Sequence, residues 1–230
     1  LLANKEAIIC AWTLIKKEAT FYKTQLIPID SEHFSVSKLI ENKNHSLIKN
    51  IYITASGGPF LNWKKIKINS AKLSDALKHP KWNMGKKISI DSATMMNKVF
   101  EFKEAMQLFS LPHDKLKILI HPQSLVHAIV EFKSGITKFL YHETDMSIPI
   151  SNAIFEEKNN IEKIISKKNI FNKKNKLEFF PINSKKFEAF KLLKVINLYP
   201  SSSIIINGAN EIFVDRYIKK KINFSDIIRG

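Results

Sequence analysis

The sequence predicts an α/β fold: an α+β domain with a mixed sheet flanked by helices, then a linker and the start of a helical domain. Three observations carry this reading. Short apolar runs of strand length recur through residues 25–132, and three of them pass through a polar loop toward helical periodicity. At 230 residues and 44% hydrophobic content the chain can bury a full core. From residue 156 to about 176 it turns Lys- and Asn-rich with few apolar residues, the composition of a linker, and helical patterns resume beyond. The division that follows is 1–29, 30–156, 157–183 and 184–230.

In chain order, 6–23 reads as a helix and 25–29 as a strand, followed at once by Asp30-Ser31-Glu32-His33. A second strand at 51–54 runs into Ser56-Gly57-Gly58-Pro59, where two glycines and a proline force a turn. A third strand is expected at 87–90, before Asp91-Ser92 and a helix over 93–109. Strands at 116–120 and 129–132 follow, the first meeting His121-Pro122-Gln123-Ser124. Helices are expected at 187–196 and 209–218, and no fixed-period repeat is present. In open α/β sheets ligands sit where strand ends deliver their loops.

Composition excludes several classes. The single cysteine, Cys10, rules out an internal disulfide framework and a zinc site of paired cysteines, and fits a reducing, cytoplasmic compartment. No apolar run approaches the roughly 18 to 20 residues of a membrane span, and Leu1-Leu2-Ala3-Asn4-Lys5 is no signal peptide. That start lacks a Met and enters an apolar segment directly, which predicts a piece of a longer protein. The formal charge of +16 would suit a nucleic-acid partner, but Lys, Asn and Ile are spread everywhere rather than concentrated, so a basic nucleic-acid-binding module ranks last among the readings.

Asp30 and Glu32, one residue apart at a strand end, would point the same way in an extended chain. Two converging carboxylates repel unless a cation lies between them, and oxygen-only ligation favours Mg²⁺ or Mn²⁺. The competing reading is a helix cap made by the same two residues. On the helix beyond Ser92, Met95, Val99, Phe102 and Met106 share one face and Asn97, Lys98 and Glu101 another. Glu101 supplies a third carboxylate, and Ser92 at the helix start, with Lys98, could hold a phosphate. Read singly, these residues also make an ordinary solvated face with Asp91 or Ser92 as N-cap. Ser56-Gly57-Gly58 could accept an anion. The stretch from His79 to Gly85 reads either as a lid carrying Trp82 and Met84 or as a surface turn tucking Trp82 into the core. His121 and His127 near strand ends are either catalytic or buried and bonded, the second being favoured. No GxGxxG fingerprint or P-loop occurs, so nothing in these residues independently indicates a dinucleotide.

Seven blocks in order make the chain resemble the 1-deoxy-D-xylulose 5-phosphate reductoisomerase family: Leu2-Ala3-Asn4-Lys5-Glu6, Pro28-Ile29-Asp30-Ser31-Glu32-His33, Thr54-Ala55-Ser56-Gly57-Gly58-Pro59-Phe60, His79-Pro80-Lys81-Trp82-Asn83-Met84-Gly85, Ile90-Asp91-Ser92-Ala93-Thr94-Met95-Met96-Asn97-Lys98, His121-Pro122-Gln123-Ser124 and Asn207-Gly208-Ala209-Asn210-Glu211. The resemblance implies an NADPH-dependent oxidoreductase of the non-mevalonate isoprenoid pathway, which rearranges its phosphosugar and reduces the resulting aldehyde to 2-C-methyl-D-erythritol 4-phosphate. It implies metal ligands Asp30, Glu32 and Glu101 for Mg²⁺ or Mn²⁺. Phosphate would be held by Ser56, Ser92, Asn97, Lys98 and His79, and the substrate's hydroxyl end by Lys5 and Ser31. Lys5, Glu101 and His79 are the implied catalytic set, Trp82 and Met84 the cover, and His127 a further polar contact. Asn4, Glu6 and Gly85 would give the few cofactor contacts outside a nucleotide-binding domain, of which 1–29 would be the tail. Residues 30–156 would bind metal and substrate, and 184–230 would begin a helical domain. A homodimer in bacterial cytoplasm or a plastid is implied, with no nucleic-acid or membrane partner.

Departures from the family pattern are Val99 in place of Gly, Lys103 in place of an apolar residue, Ser147 in place of Arg and an eroded turn at Ser134-Gly135. The family's glycine-rich nucleotide fingerprint and its last helices are missing, so the fragment is expected not to turn over by itself. A decayed, non-catalytic remnant of the same fold is the alternative.

Overall fold

The structure, a computed structural model, describes residues 1–41, 43–82, 84–155 and 176–230. Helix α1 (Lys5–Phe21) is capped by the Asn4 side chain, which accepts from the Ala7 N–H at 2.8 Å. The strand expected at 25–29 is only a bridge between Leu2 and Pro28. Pro28 has no N–H to extend a ladder, and two main-chain bonds, Leu2 N–H to Ile27 O and Ile29 N–H to Leu2 O, are all that form there. Helix α2 (Ser31–Ile40) follows directly, with Asp30 as its N-cap. Sequence periodicity gave no sign of α2, because serines and a histidine occupy its buried positions beside Phe34 and Val36.

Strand β1 (Ile48–Ala55) is the centre of a mixed sheet. It pairs parallel with β2 (Leu116–Ile120) and antiparallel with β3 (Val126–Phe132). β4 (Thr137–Tyr141) extends the β3 edge and β5 (Phe180–Pro181) the β2 edge, giving the order β4-β3-β1-β2-β5. β4 escaped the sequence reading because its first three residues are exposed and carry no apolar alternation. The turn at Ser134-Gly135, read as eroded in the sequence, is nonetheless formed, with Gly135 at φ +88° joining β3 to β4.

Short helices α3 (Lys65–Asn69) and α4 (Leu73–Ala76) lead to α5 (Lys86–Thr94) and α6 (Met96–Leu108). The expected strand at 87–90 is therefore helix. Four alternating residues cannot separate the two periods, and the i,i+4 pair Lys87–Asp91 at 3.0 Å and a buried stripe of Ile90, Ala93 and Thr94 favour the helix. The single helix expected over 93–109 breaks at Met95, which is left-handed at φ +69°, while the Thr94 hydroxyl accepts from the Met96 N–H at 3.2 Å.

α7 (Ser147–Phe155) closes the first part, and residue 156 with most of the expected linker, to residue 175, lies outside the described residues. The helix expected at 187–196 is a 3₁₀ segment, Glu188–Lys194, and the last long helix, α8 (Ser202–Ile218), begins earlier than expected. These elements share one core with the sheet: the buried apolar cluster runs from Ile51, Ile53 and Ile118 through Phe100 and Phe102 to Phe190, Val214 and Tyr217. Tyr217 donates to the Ala71 carbonyl at 2.9 Å, and Asn210 to Asp91 at 2.8 Å.

At the C-terminal end of β1, Gly58 has φ +64°, and a Cβ there would stand 2.8 Å from the Ser92 carbonyl oxygen. Neither atom can yield cheaply. Gly58→Ala is accordingly expected to cost more than about 1 kcal/mol, read as a lowered urea midpoint, while alanine at Gly85, where a Cβ meets nothing, costs less.

Candidate active site

The C-terminal ends of β1 and β2 and the start of β3 lie on one edge of the sheet, because β1 is parallel to β2 and antiparallel to β3. A cavity of about 300 Å³ opens there. Its wall takes Ala3 and Lys5 from the start of α1, Asp30 to Glu32 from the start of α2, and Thr54 to Gly57 from the end of β1. His79, Trp82 and Met84 close one side, and Ile88, Ser92, Met95, Asn97, Lys98 and Glu101 come from α5, α6 and their junction. Ser124, His127 and Met146 complete it. Every residue expected for catalysis, substrate or metal thus lines a single cavity.

Asp30, Glu32 and Glu101 each offer a carboxylate oxygen, all within 4.8 Å of one another. Their convergence has a different cause from the expected one. Asp30 caps α2 and Glu32 stands in its first turn, Asp30 accepting from the Glu32 N–H at 3.4 Å and Ser31 donating to Glu32 at 2.5 Å. Cap and carboxylate pair are therefore one arrangement, not alternatives. Glu101 arrives from α6, nearly fully buried.

Two ammonium groups thread this cluster. Lys5 Nζ reaches Asn97 Oδ1 at 2.8 Å, Glu101 at 3.0 Å and Asp30 at 3.2 Å. Lys98 Nζ reaches Glu32 at 2.8 Å and also pairs with Glu101. Asn97 donates to Glu101 at 2.5 Å. The polar face of α6 is thus turned into the protein and is not a solvated face. Burial would raise the Asp30 carboxyl, yet Lys5 and His33 hold it far below the usual range. In Glu32, burial together with Glu101 and Asp30 outweighs Lys98 and pushes the carboxyl up to about 7. Three carboxylates against two ammonium groups leave a deficit of positive charge. The donors are all oxygen, and Cys10 is not among the lining residues. This set fits a hard divalent cation such as Mg²⁺ or Mn²⁺.

Ser92 lies in the last turn of α5 rather than at a helix start, so it is no N-cap, although it still lines the cavity. Around the Gly57-Gly58 turn, Ser56 Oγ accepts from the Gly58 N–H at 3.1 Å and lies 3.1 Å from His79 Nε2. His79 Nδ1 accepts from the Trp82 and Lys81 N–H groups at 2.9 and 3.2 Å. That assigns the proton to Nε2 and directs it at Ser56. Burial and the nearby Lys98 charge depress His79 to about 4, so it is neutral near pH 7. Trp82 is only half-buried and meets His127 edge-on at 6.3 Å, so the stretch forms part of the cavity wall and not a core plug. Asn83 lies outside the described residues.

His127 is buried and stacked on His142, rings 3.8 Å apart, with its Nε2 3.2 Å from the His142 carbonyl. Burial and His142 push it down to about 3. Above pH 6.5 neither folded nor unfolded chain is protonated at this position. Below that, the unfolded chain takes up the proton and the folded one does not, so acid favours unfolding, at up to about 1.4 kcal/mol per pH unit. Between pH 7 and pH 4.5, His127→Gln is expected to lose about 2 kcal/mol less stability than the parent, measured by urea unfolding. His121, by contrast, bonds the Glu178 carbonyl at 2.8 Å and does not line the cavity, as a buried, bonded histidine should.

Asn4, Glu6 and Gly85 are outside the lining but adjacent to it. Asn4 and Glu6 flank Lys5, Glu6 binds Lys87 at 2.8 Å, and Gly85 caps α5 next to Met84. Of the departures, Val99 is buried without strain, Lys103 donates to Asn197 at 2.7 Å, and the Ser147 N–H donates to Asp145 at 2.9 Å. Sequence reasoning missed Met146, Ser124, His33 and Glu104. Ser124 and His33 lay in quoted blocks without an assigned role, and Met146 and Glu104 reach the site through folding alone.

Two family models match the chain, described as the 1-deoxy-D-xylulose 5-phosphate reductoisomerase C-terminal domain over residues 26–109 and the DXP reductoisomerase C-terminal domain over 142–230. The chain belongs to the 1-deoxy-D-xylulose 5-phosphate reductoisomerase family. Reductoisomerases of Pelagibacter ubique, 49% identical, and Wolbachia pipientis, 43% identical, each align over 230 residues. These alignments cover 98% and 99% of the chain but 58% of each relative, so the chain spans little more than half their length. A crystal structure of DOX-P reductoisomerase in complex with NADPH, fosmidomycin and magnesium superposes with a TM-score of 0.89 at 36% identity, over 99% of this chain and 58% of that one. The Zymomonas mobilis reductoisomerase in complex with NADPH gives 0.88 at 34% identity, over 99% and 59%. The mixed sheet with its flanking helices is thus a reductoisomerase fold.

Proposed function

We propose that the chain is the metal- and substrate-binding part of an enzyme that rearranges 1-deoxy-D-xylulose 5-phosphate and reduces the product to 2-C-methyl-D-erythritol 4-phosphate with NADPH. The observation that carries this is the convergence of Asp30, Glu32 and Glu101 with Lys5, Lys98, Ser56, His79, Ser92 and Asn97 on one 300 Å³ cavity. The magnesium and NADPH held by related structures support it.

Asp30, Glu32 and Glu101 would hold the divalent cation, which when bound supplies Lewis-acid polarisation of neighbouring hydroxyl and carbonyl oxygens. Lys5, buried and held by Asn97 and Glu101, presents a fixed ammonium to the substrate's hydroxyl end beside Ser31. At the other end Lys98 would provide charge and Ser56, Ser92 and the Nε2–H of neutral His79 would donate to phosphate oxygens, with Asn97, whose amide joins Lys5 to Glu101, contributing its second amide hydrogen. A carbon–carbon bond is broken and remade between these two anchors, and tethering both ends restricts the migrating fragment to one geometry. Trp82 and Met84 cover the cavity and exclude water. Asn4, Glu6 and Gly85 would contribute contacts to NADPH. The same reading makes the assembly a homodimer of bacterial cytoplasm. Among the described residues no helix is long and apolar enough to cross a membrane.

The test is loss of NADPH absorbance in the intact protein given the phosphosugar and Mn²⁺. Oxidation requiring both supports the assignment. A folded protein that binds Mn²⁺ but never oxidises NADPH would be a non-catalytic remnant instead.

A further inference from the structure

Directly behind the three carboxylates lies a second, drier group that does not line the cavity. Glu104 stands one turn beyond Glu101 on α6, 1% exposed, and its Oε2 makes no hydrogen bond among the described residues. It faces His33 of α2, itself fully buried, with Nδ1 and Oε2 3.4 Å apart. The other ring nitrogen of His33, Nε2, lies 3.0 Å from the Glu101 main-chain carbonyl, which can only accept, so Nε2 carries a proton. On the Nδ1 side the ring also meets Asp30 Oδ1 at 3.8 Å. One imidazole therefore touches the backbone of one carboxylate bearer and the side chain of another, and Glu104 is the group behind it.

A buried carboxylate–imidazole pair is a poor way to stabilise a core. Desolvation of both groups generally equals or exceeds what they regain, and apolar replacements of the same shape are commonly neutral or better. What such a pair does supply is orientation. A carboxylate behind an imidazole fixes the ring plane, and the outer-shell groups that hold ligating carboxylates, as His33 holds Asp30, typically change metal affinity about 10- to 100-fold.

We propose that Glu104 is a positioning residue: through His33 it fixes the Asp30 carboxylate and the α6 backbone at Glu101, and so sets the affinity of the three-carboxylate cluster for a divalent cation. The inference rests on the cluster's being a cation site, as read above. Glu104 touches neither substrate nor cation in this account.

The experiment is titration of Mn²⁺ into the intact protein and its Glu104→Gln and Glu104→Leu variants by calorimetry, with melting temperatures taken without Mn²⁺. Both variants are expected to melt at or above the parent's temperature, since a desolvated charge is removed, yet to bind Mn²⁺ about tenfold or more weakly. In turnover, the Mn²⁺ concentration for half activation should rise by the same factor while kcat at saturating Mn²⁺ stays near the parent's. Folded variants with the parent's affinity would overturn the proposal. So would variants that unfold, or whose affinity falls only as their metal-free stability falls, because Glu104 would then be holding the fold and not the site. Glu101→Gln in the same series separates the two readings. If the parent binds no Mn²⁺, the cation site itself is wrong; if Glu101→Gln abolishes binding and the Glu104 variants do not weaken it, only the positioning role is wrong.

Discussion

Glu101→Gln is expected to weaken Mn²⁺ binding by more than about a hundredfold, beyond the range for residues that merely support a ligand, with little change in fold. Glu101 is the one carboxylate that meets both ammonium groups, accepting from Lys5 at 3.0 Å and from Asn97 at 2.5 Å and pairing with Lys98. Neutralising it leaves Lys5 and Lys98 balanced by Asp30 and Glu32, which removes the charge deficit that a dication would fill. The amide keeps the shape and can still accept from Lys5, but its NH2 group would face the Lys98 ammonium, so the melting temperature should fall while the variant stays folded at the temperature of the titration. A calorimetric titration of the variant checks this, and unchanged affinity would remove Glu101 from the ligand set.

Lys98→Met is expected to destabilise the fold by about 3–5 kcal/mol, the usual cost of breaking a buried ion pair by deleting one partner. The Lys98 side chain is 6% exposed and lies between Glu32 and Glu101, and burial raises the Glu32 carboxyl even with that lysine in place. Without the ammonium, the buried Glu32 carboxyl faces Glu101 with no cation of its own, and Glu101 keeps Lys5 alone. The companion variant Glu32→Gln in the Lys98→Met background should recover most of the loss, since it removes the repulsion rather than restoring the lysine. Urea unfolding of the single and double variants measures both. A loss below about 1 kcal/mol would mean that Lys98 behaves as a surface residue.

The site was more legible in the sequence than the fold around it, for a physical reason. Its residues arrive in short contiguous blocks at element ends, where a carboxylate, a serine or a glycine turn carries chemical meaning without knowledge of packing. Asp30, Glu32, Ser56, Lys98 and Glu101 could therefore be singled out one by one. The helix from Lys86 was misread as a strand because four alternating residues fit both periods, and Ser92 was misplaced at a helix start in consequence. β4 stayed hidden because an exposed edge strand lacks apolar alternation. His33 and Glu104 were silent for the opposite reason. Nothing in their spacing links residues 71 positions apart, and only the packing of α2 against α6 brings them to 3.4 Å. The formal charge of +16 was also uninformative, since the cavity itself gathers more carboxylates than ammonium groups.

The central claim is that one cavity binds a divalent cation and a phosphosugar together. The most direct measurement is calorimetric titration of a phosphonohydroxamate inhibitor into the intact protein, with and without Mn²⁺. Binding that requires Mn²⁺, with Mn²⁺ in turn bound more tightly when the inhibitor is present, is the predicted result. Inhibitor binding of equal strength with and without Mn²⁺, or a folded protein that binds neither, would contradict it.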